Sequence, residues 1–273
     1  MGEWGDIRRI TEVGTHCPIS GIIRKAEDLE DFVPPDPFEE GRLDPFIGAF
    51  ETVGDSVPII GMVHDAFEIP WMMRGGIPTL LKDYYQNPSL AKRLAEMSIR
   101  FNVEMAKRMI DEGAFAIISG DDYAFKSGPM MAPKSFKEFV LPYLKRLVND
   151  VHGRGAYFIK HTDGNIWQIL EPLLRVKIDG LHPIEGQADM DLTKVKHKLS
   201  GKVVTLGNVD CGHILQFGNI EDTARDVKRC MEAAAPGGGY VITSSNTIHP
   251  FVKPENFVAM VKAAHRYGKY PRK

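Results

Sequence analysis

Cysteine is scarce in this sequence: Cys17, Cys211 and Cys230 are the only three, widely separated and in no CxxC spacing. An odd, scattered set of that kind argues against a disulfide framework. Long apolar runs are missing as well, and none approaches the roughly 20 residues that a membrane-spanning helix needs. Neither sign of charge dominates, since 34 Lys and Arg face 36 Asp and Glu for a net charge of -2. That balance gives no electrostatic reason to expect nucleic acid or an anionic membrane surface as a partner. The G-x-x-x-x-G-K-[ST] pattern and a strand-coupled G-x-G-x-x-G are both absent, so phosphate binding is not expected. The opening residues, Met1 to Asp6, show neither a basic n-region nor an apolar h-region. No secretory signal is therefore read there, and the cytoplasm is the expected location. Internal repeats and low-complexity tracts are also lacking.

What is there fits one large α/β unit. A (β/α) barrel takes about 250 residues, nearly all of a chain of this size. Apolar residues make up 43% and charged residues 26%, an ordinary globular composition. From Val57 onward, short apolar runs alternate with amphipathic helical patterns, which predicts βα units and a mainly parallel sheet. Six runs read as strands buried on both faces: Val57–Val63, Ala114–Ser119, Ala156–Lys160, Gly180–Pro183, Val203–Leu206 and Gly239–Thr243.

Helices fill the gaps. Asn87-Pro88 starts one whose face carries Leu90, Leu94, Met97, Phe101 and Met105 until Gly113 stops it. Phe136, Val140, Leu144, Leu147 and Val151 make a second stripe after Pro133, and Ile166, Ile169, Leu170 and Leu173 a third. Asp191 is placed to cap a helix bearing Leu192, Val195 and Leu199, and Glu221–Ala234 and Pro254–Tyr267 follow. These stripes are core positions and carry no function.

The first 56 residues lack this rhythm. Arg8–Val13 and Ile19–Arg24 can pair as a hairpin, while Val33-Pro34-Pro35-Asp36-Pro37 is a turn-rich connector unsuited to a helix or central strand. The expected organisation is a hairpin and connector, 1–56, packed on a barrel formed by 57–273, as a single structural domain. Six strands are too few for an eight-stranded barrel. Either weaker strands lie in the N-terminal region or the chain begins late in the barrel.

In parallel α/β folds the loops after the strands open one face of the sheet, so functional groups gather there. The residues in those positions are His64 and Asp65; Asp121, Asp122 and Tyr123; His161, Asp163 and Asn165; Glu185; Asn208 and Asp210; and Ser244, Ser245 and Asn246. Any single Asp or Asn after a strand can be a helix cap or turn residue, and Asp163-Gly164-Asn165 is a fair turn sequence. Taken together they point to an active site, because burying so many polar ends for structure alone is costly.

Two chemistries fit. His161 and Asp163 stand two apart at a strand end and can converge on one cation, with Glu185 or Asp122 supplying the further ligand that a catalytic zinc site uses. Alternatively, carboxylates and a histidine in a closed pocket act as general acid and base without metal. Cys211 lies near a strand end but has no cysteine partner and stays outside the site. Pro236-Gly237-Gly238-Gly239 precedes the last strand, at the opposite end, and reads as a tight turn.

An ordered set of motifs carries a family resemblance. It comprises His161-Thr-Asp-Gly-Asn165, Gly180-Leu-His-Pro-Ile-Glu185, Leu206-Gly-Asn-Val-Asp210, Ala235-Pro-Gly-Gly-Gly-Tyr240, Ser244-Ser-Asn246 and Tyr267-Gly-Lys-Tyr-Pro271. Gly120-Asp-Asp-Tyr123, Pro133 and Phe136–Pro142 extend it towards the N-terminus. In these the chain resembles the uroporphyrinogen decarboxylase superfamily, which includes corrinoid-dependent methyltransferases.

The resemblance implies a (β/α)8 TIM barrel with its site at the carboxyl face. It implies as well that this chain is about one βα unit short at the N-terminus. The arginine-rich motif with which true uroporphyrinogen decarboxylases hold their substrate's carboxylates has no counterpart here; Arg8 and Arg9 fall in the hairpin. Coenzyme M methyltransferases of the superfamily hold zinc through His-x-Cys and a later cysteine, where this chain has His161-Thr-Asp163 and Ser244–Asn246. Harder oxygen ligands keep more Lewis acidity on a metal, which suits an ether or ester oxygen better than a soft thiolate.

The function expected from the resemblance is the methyltransferase component of an O-demethylase-like system. It would move a methyl group from a small donor to a corrinoid carried by a partner protein, with zinc on His161 and Asp163. Asp122, His161, Asp163 and Glu185 are the expected catalytic residues. His64, Tyr123, Asn165, Asn208, Asp210 and Asn246 are expected to contact substrate. Two alternatives stand beside it: a metal-free decarboxylase-like lyase acting on a small carboxylic acid, with His161 or Asp122 as proton donor, and a non-catalytic ligand-binding barrel. A homodimer is the expected assembly.

Overall fold

The computed structural model describes residues 1–11, 16–199 and 201–269. In chain order the elements are β1 (Ile7–Ile10), β2 (His16–Ser20), α1 (Asp44–Val53), β3 (Ile60–Val63), α2 (Glu68–Met73), α3 (Ile77–Gln86), α4 (Pro88–Asp111), β4 (Ala116–Ser119), β5 (Ala124–Phe125) and β6 (Gly128–Pro129). They continue as α5 (Pro133–Phe139), α6 (Leu141–Gly153), β7 (Tyr157–His161), α7 (Trp167–Leu174), β8 (Gly180–His182), α8 (Leu192–Leu199), β9 (Val204–Val209), α9 (Ile214–Phe217), α10 (Ile220–Ala234), β10 (Tyr240–Ser244) and α11 (Pro254–Tyr267).

The result is an α/β fold. Each of the six apolar runs read from the sequence overlaps a strand of one six-stranded sheet, in the order β10-β9-β8-β7-β4-β3, and β7, β9 and β10 run on past the expected ends to His161, Val209 and Ser244. The pairs β3–β4, β8–β9 and β9–β10 are parallel, with Ile60 opposite Ala116 and Thr205 opposite Tyr240. The hairpin also forms, but β1 and β2 pair only with each other in a separate antiparallel sheet and add no strand to the parallel one. Its second strand sits earlier than Ile19–Arg24. Ile23 is buried instead, and its N–H donates to the Met73 carbonyl at 3.1 Å, which anchors that stretch to the end of α2. Val13, at the end of the expected first strand, lies outside the described residues.

The chain divides into two compact units. The first comprises Met1–Asp122, Met131–Ile159 and Glu171–Ile178; the second comprises Tyr123–Met130, Lys160–Leu170 and Asp179–Lys273.

In the first unit α4 is the central helix. Asn87-Pro88 opens it as expected, and Leu90, Leu94, Ala95, Ile99 and Val103 are buried along one face. The Phe136–Val151 stripe is buried throughout, but it spans two helices and not one. Pro142 lacks an N–H and crowds the preceding turn, so the chain breaks at Val140, which closes α5 and opens α6. Tyr84 of α3 stacks on Phe139 of α5 with ring centroids 4.2 Å apart. Nearby, Arg74 and the buried Asp83 form an ion pair at 2.5 Å.

In the second unit β8, β9 and β10 are backed by α8, α10 and α11. Asp191 accepts the Lys194 N–H at 2.7 Å, the expected cap on α8. Asn219 and Asp222 cap α10 reciprocally, at 2.8 and 3.0 Å. Gly237, Gly238 and Gly239 all have positive φ, and Lys196 Nζ donates to the carbonyls of Gly238 and Gly239. That is the tight turn read from the sequence. No helix among the described residues is long and apolar enough to cross a membrane.

Candidate active site

Polar side chains collect at the carboxyl ends of the strands in both units. In the first unit they surround His64, the residue after β3. Its N–H donates to Asn102 Oδ1 of α4 at 2.9 Å, and its ring Nδ1 faces Asp121 Oδ1 at 2.8 Å and Glu68 Oε2 at 3.4 Å. Asp121 is fully buried, and its other oxygen accepts the N–H groups of Phe67 and Glu68, both at 2.9 Å. The loop and first turn of α2 therefore fold around one carboxylate. Asp65, also fully buried, accepts the Ala66 N–H at 2.6 Å and the Ser119 hydroxyl at 2.5 Å. Asp122 donates its N–H to Glu68 Oε1 at 3.4 Å.

This crowding moves the ionisation of two groups. Burial pulls the His64 imidazole down. The hydrogen bond and charge of Asp121, followed by the charges of Glu68 and Asp65, outweigh it and lift the pKa to about 9. Burial lifts the Glu68 carboxyl, Asp121 and Asp122 add to the rise, and His64 opposes it, leaving Glu68 raised to about 8. At neutral pH the cluster therefore holds its protons: His64 is a cation and Glu68 is neutral.

In the second unit the site is built from the ends of β7 and β8. His161, the last residue of β7, places Nδ1 2.7 Å from Nδ1 of His182, the last residue of β8. Burial pushes the His182 pKa down to about 3, the neighbouring His161 adds to the fall, and a hydrogen bond from its ring to the Ser244 carbonyl opposes it. His182 is thus neutral, and with its proton directed to Ser244 its Nδ1 is left as an acceptor. We assign the shared proton to His161 Nδ1, and the ring turns Nε2 towards Asp163. Nε2 lies 3.8 Å from Asp163 Oδ1, while the other Asp163 oxygen accepts from Asn246 Nδ2. Glu185 Oε2 accepts the Gly164 N–H at 2.9 Å. Gly164 has φ +84°, and a Cβ there would fall 2.4 Å from the Ala124 carbonyl oxygen, so the turn after β7 requires glycine.

Of the residues singled out from the sequence, His161, Asp163, Asn246 and, through Gly164, Glu185 come together in the second unit. His64 and Asp122 lie in the first. Others hold the scaffold. Tyr123 is fully buried beneath Lys160 Nζ, which sits 4.2 Å from its ring centroid. Asn165 Oδ1 accepts the Trp167 N–H at 3.3 Å at the start of α7. Asn208 is buried and clamps the Ile184 carbonyl and Arg229. Asp210 accepts from Gln187 Nε2 and the His213 N–H. Cys211 is buried, its thiol donates to the Thr247 carbonyl at 3.2 Å, and burial raises its pKa, which keeps it an inert thiol. Sequence reasoning passed over Glu68 and His182 as site residues, and counted Asp121 among the polar strand ends without giving it a role. His182 is the last residue of a strand, one position inside the span searched; Glu68 looked like an ordinary acidic first-turn residue of a helix.

The fold is that of an α/β protein whose six-stranded sheet gathers polar side chains at its strand ends. The chain belongs to the uroporphyrinogen decarboxylase (URO-D) family, which it matches over residues 12–267. Among its relatives is the uroporphyrinogen decarboxylase of Alkalilimnicola ehrlichii, 27% identical over 258 residues, covering 89% of this chain and 67% of the relative. That of Aromatoleum aromaticum is 25% identical over 262 residues, covering 90% and 70%. Among solved structures, a methyltransferase from Methanosarcina mazei superposes with TM-score 0.81 over 97% of this chain and 77% of that one. The two share 22% identity, so the likeness is one of fold.

Proposed function

We propose that this chain is the methyltransferase component of a corrinoid-dependent O-demethylase-like system, taking a methyl group from a small methyl ether and passing it to a corrinoid protein. The observation that carries the reading is the His161–Asp163 pair. His161 Nε2 and a carboxylate oxygen of Asp163 stand 3.8 Å apart. Ligand atoms each about 2.0–2.2 Å from a zinc ion sit at comparable separations, so the donors fit a hard divalent metal. The partners behind them, His182 on one and Asn246 on the other, are of the kind that orient metal ligands. Glu185 supports the turn that carries Asp163, since its Oε2 is engaged by Gly164.

A metal held by His161 and Asp163 would act as a Lewis acid on the ether oxygen. The chain's own groups do the rest. Asp163 and Asn246 hold that end of the site rigid, and His182 keeps His161 in one tautomer. The fold shared with the methyltransferase from Methanosarcina mazei supports the reading, as does the nitrogen and oxygen donor pair of His161 and Asp163, which suits an oxygen leaving group better than a sulfur acceptor. The corrinoid-protein partner and a homodimeric assembly belong to the same proposal.

The test incubates the protein with cob(I)alamin and a panel of aryl methyl ethers and follows the methylcobalamin spectrum. Formation of methylcobalamin that depends on added zinc is the expected result. No spectral change across the panel, with folded protein that has taken up metal, would remove the reading. A second reading, decarboxylation of a small carboxylic acid without metal, is favoured by one observation: the curated relatives above are uroporphyrinogen decarboxylases. Protein that binds no zinc yet releases carbon dioxide from a small acid would establish it instead.

A further inference from the structure

Within the first unit, the ends of β3 and β4 and the first turn of α2 converge on one point that the methyl-transfer chemistry does not use. His64 Nδ1, an oxygen of Glu68 and an oxygen of Asp121 all lie within 4.8 Å of one another. Nδ1 stands 2.8 Å from Asp121 Oδ1 and 3.4 Å from Glu68 Oε2. A proton on Nδ1 can point along only one of these two lines, so a plain His–Asp pair leaves the Glu68 carboxyl with no share in it. A cation with several coordination positions takes all three donors at once. Donors about 2.0–2.2 Å from a metal and at right angles to each other are roughly 3 Å apart, which fits both Nδ1 distances.

Each donor is held from behind. The His64 N–H donates to Asn102 Oδ1 of α4. Asp121 is fully buried, and its second oxygen accepts the N–H groups of Phe67 and Glu68, which fixes the direction of the first. The second Glu68 oxygen faces the Asp122 N–H at 3.4 Å. Supporting bonds of this kind orient metal ligands. The side chains of His64 and Glu68 are 37% and 18% exposed, so solvent, and an ion with it, reaches two of the three donors.

Two further observations call for a cation. Among the described residues, the charges acting on His64 and Glu68 come from Asp65, Asp121, Asp122 and each other. Carboxylates gathered out of water in this way need a counter-charge. The Tyr84 hydroxyl of α3 is buried without a hydrogen-bond partner. Burial raises its pKa, and the charges of Asp65 and then Asp121 add to the rise, so the hydroxyl lies in the field of the cluster. Water carried by an ion is a partner of the kind it lacks; a proton on Nδ1 is not.

We propose that His64, Glu68 and Asp121 form a divalent-cation site that pins the first turn of α2 to the ends of β3 and β4. One imidazole nitrogen and two carboxylate oxygens suit an ion such as manganese or zinc, with water in the other positions. Without the ion, protons hold the cluster. On binding, the proton between Nδ1 and Asp121 and the one on Glu68 go to solvent. Because the donors come from three elements, the ion cross-links the first unit and stabilises the folded chain, the form that presents them together. The site stands whether or not His161 and Asp163 hold a metal of their own.

The experiment uses the full chain, and each ligand set is read in a variant lacking the other: H161A/D163A for this site, H64Q/E68Q for His161 and Asp163. Chelator-treated H161A/D163A is titrated with manganese, and the free ion is followed by electron paramagnetic resonance. One equivalent should bind, and adding H64A or E68Q should weaken binding by about a hundredfold or more. Histidine-labelled H161A/D163A with zinc, followed by two-bond 1H–15N spectra, should show His64 Nδ1 exchanging its proton for the metal. Folded H161A/D163A that binds no manganese at millimolar concentration overturns the proposal. So does binding that H64A and E68Q leave unchanged, which would put the ion elsewhere, or a His64 Nδ1 that keeps its proton in zinc-saturated protein. Should H161A/D163A not fold, the wild type and H64Q/E68Q are compared for bound manganese: a difference of one equivalent supports the site, and equal counts overturn it.

Discussion

At the scale of single residues, the second unit turns on who holds which proton. His182 is neutral, donates to Ser244 and faces His161 Nδ1, so the His161 ring is held with Nε2 towards Asp163. Replacing His182 by Ala removes the acceptor and lets the His161 ring and tautomer wander. Zinc affinity, measured by competition with a chromophoric chelator, should fall by about 10- to 100-fold, and H182Q, whose amide oxygen can accept the same bond, should recover part of it. An unchanged affinity in H182A would mean that His161 does not use Nε2 as a ligand. Gly164 gives an independent check. Its positive φ and the 2.4 Å approach to the Ala124 carbonyl leave no room for a methyl group. G164A should therefore lose both zinc binding and thermal stability, whereas G153A, in a helix where a Cβ meets nothing, should keep zinc binding and hold or slightly raise thermal stability.

At the scale of elements, most of the helices were legible because their ends carry chemical signals. Asn87-Pro88, Asp191 and the final Pro254 all begin helices where the pattern put them. The α10 cap is the best built, with Asn219 and Asp222 exchanging hydrogen bonds with each other's backbone. N219A should lower stability by about 1 kcal/mol in urea denaturation, and a change within error would show that helix packing alone holds that end. The helix read as one across Phe136–Val151 shows the limit of periodicity. The stripe is correct and every one of its residues is buried, but an apolar stripe says which face packs, not whether the backbone is continuous. Pro142 was the available signal for the break. The short α1 could not be read from burial patterning, since none of its residues is buried.

At the scale of the whole molecule, the buried ionisable groups couple folding to pH. His64 is raised to about 9 and Glu68 to about 8, so each binds its proton more tightly folded than unfolded. The stability each contributes is complete below its unfolded pKa and is lost as pH rises through the folded one, from 6.5 to about 9 for His64 and from 4.5 to about 8 for Glu68. His182, lowered to about 3, works in the other direction and loses its contribution as pH falls below 6.5. Above pH 6.5 only the losses remain. The urea midpoint of the wild type should therefore fall between pH 7 and pH 9, and the H64Q/E68Q double variant should fall less; parallel curves would contradict the cluster's ionisation.

The ordered motifs carried the resemblance to the family; composition, periodicity and strand-end chemistry determined the α/β class, the six strands of the parallel sheet and the side of the sheet on which to look. They did so because each is written in local spacing: apolar runs for buried strands, caps and prolines for helix starts, polar residues after each strand. His161 and Asp163 were legible for the same reason, standing two apart on one strand end. Which polar residues face chemistry and which brace the fold was decided only in three dimensions. Asn208 and Asp210 read like site residues, yet they are engaged by backbone and side chains of neighbouring elements. His182, Glu68 and Asp121 gain their meaning from partners 21, 4 and 57 positions away in the chain. A side chain's pKa and tautomer depend on what packs against it, and no spacing along the sequence encodes that.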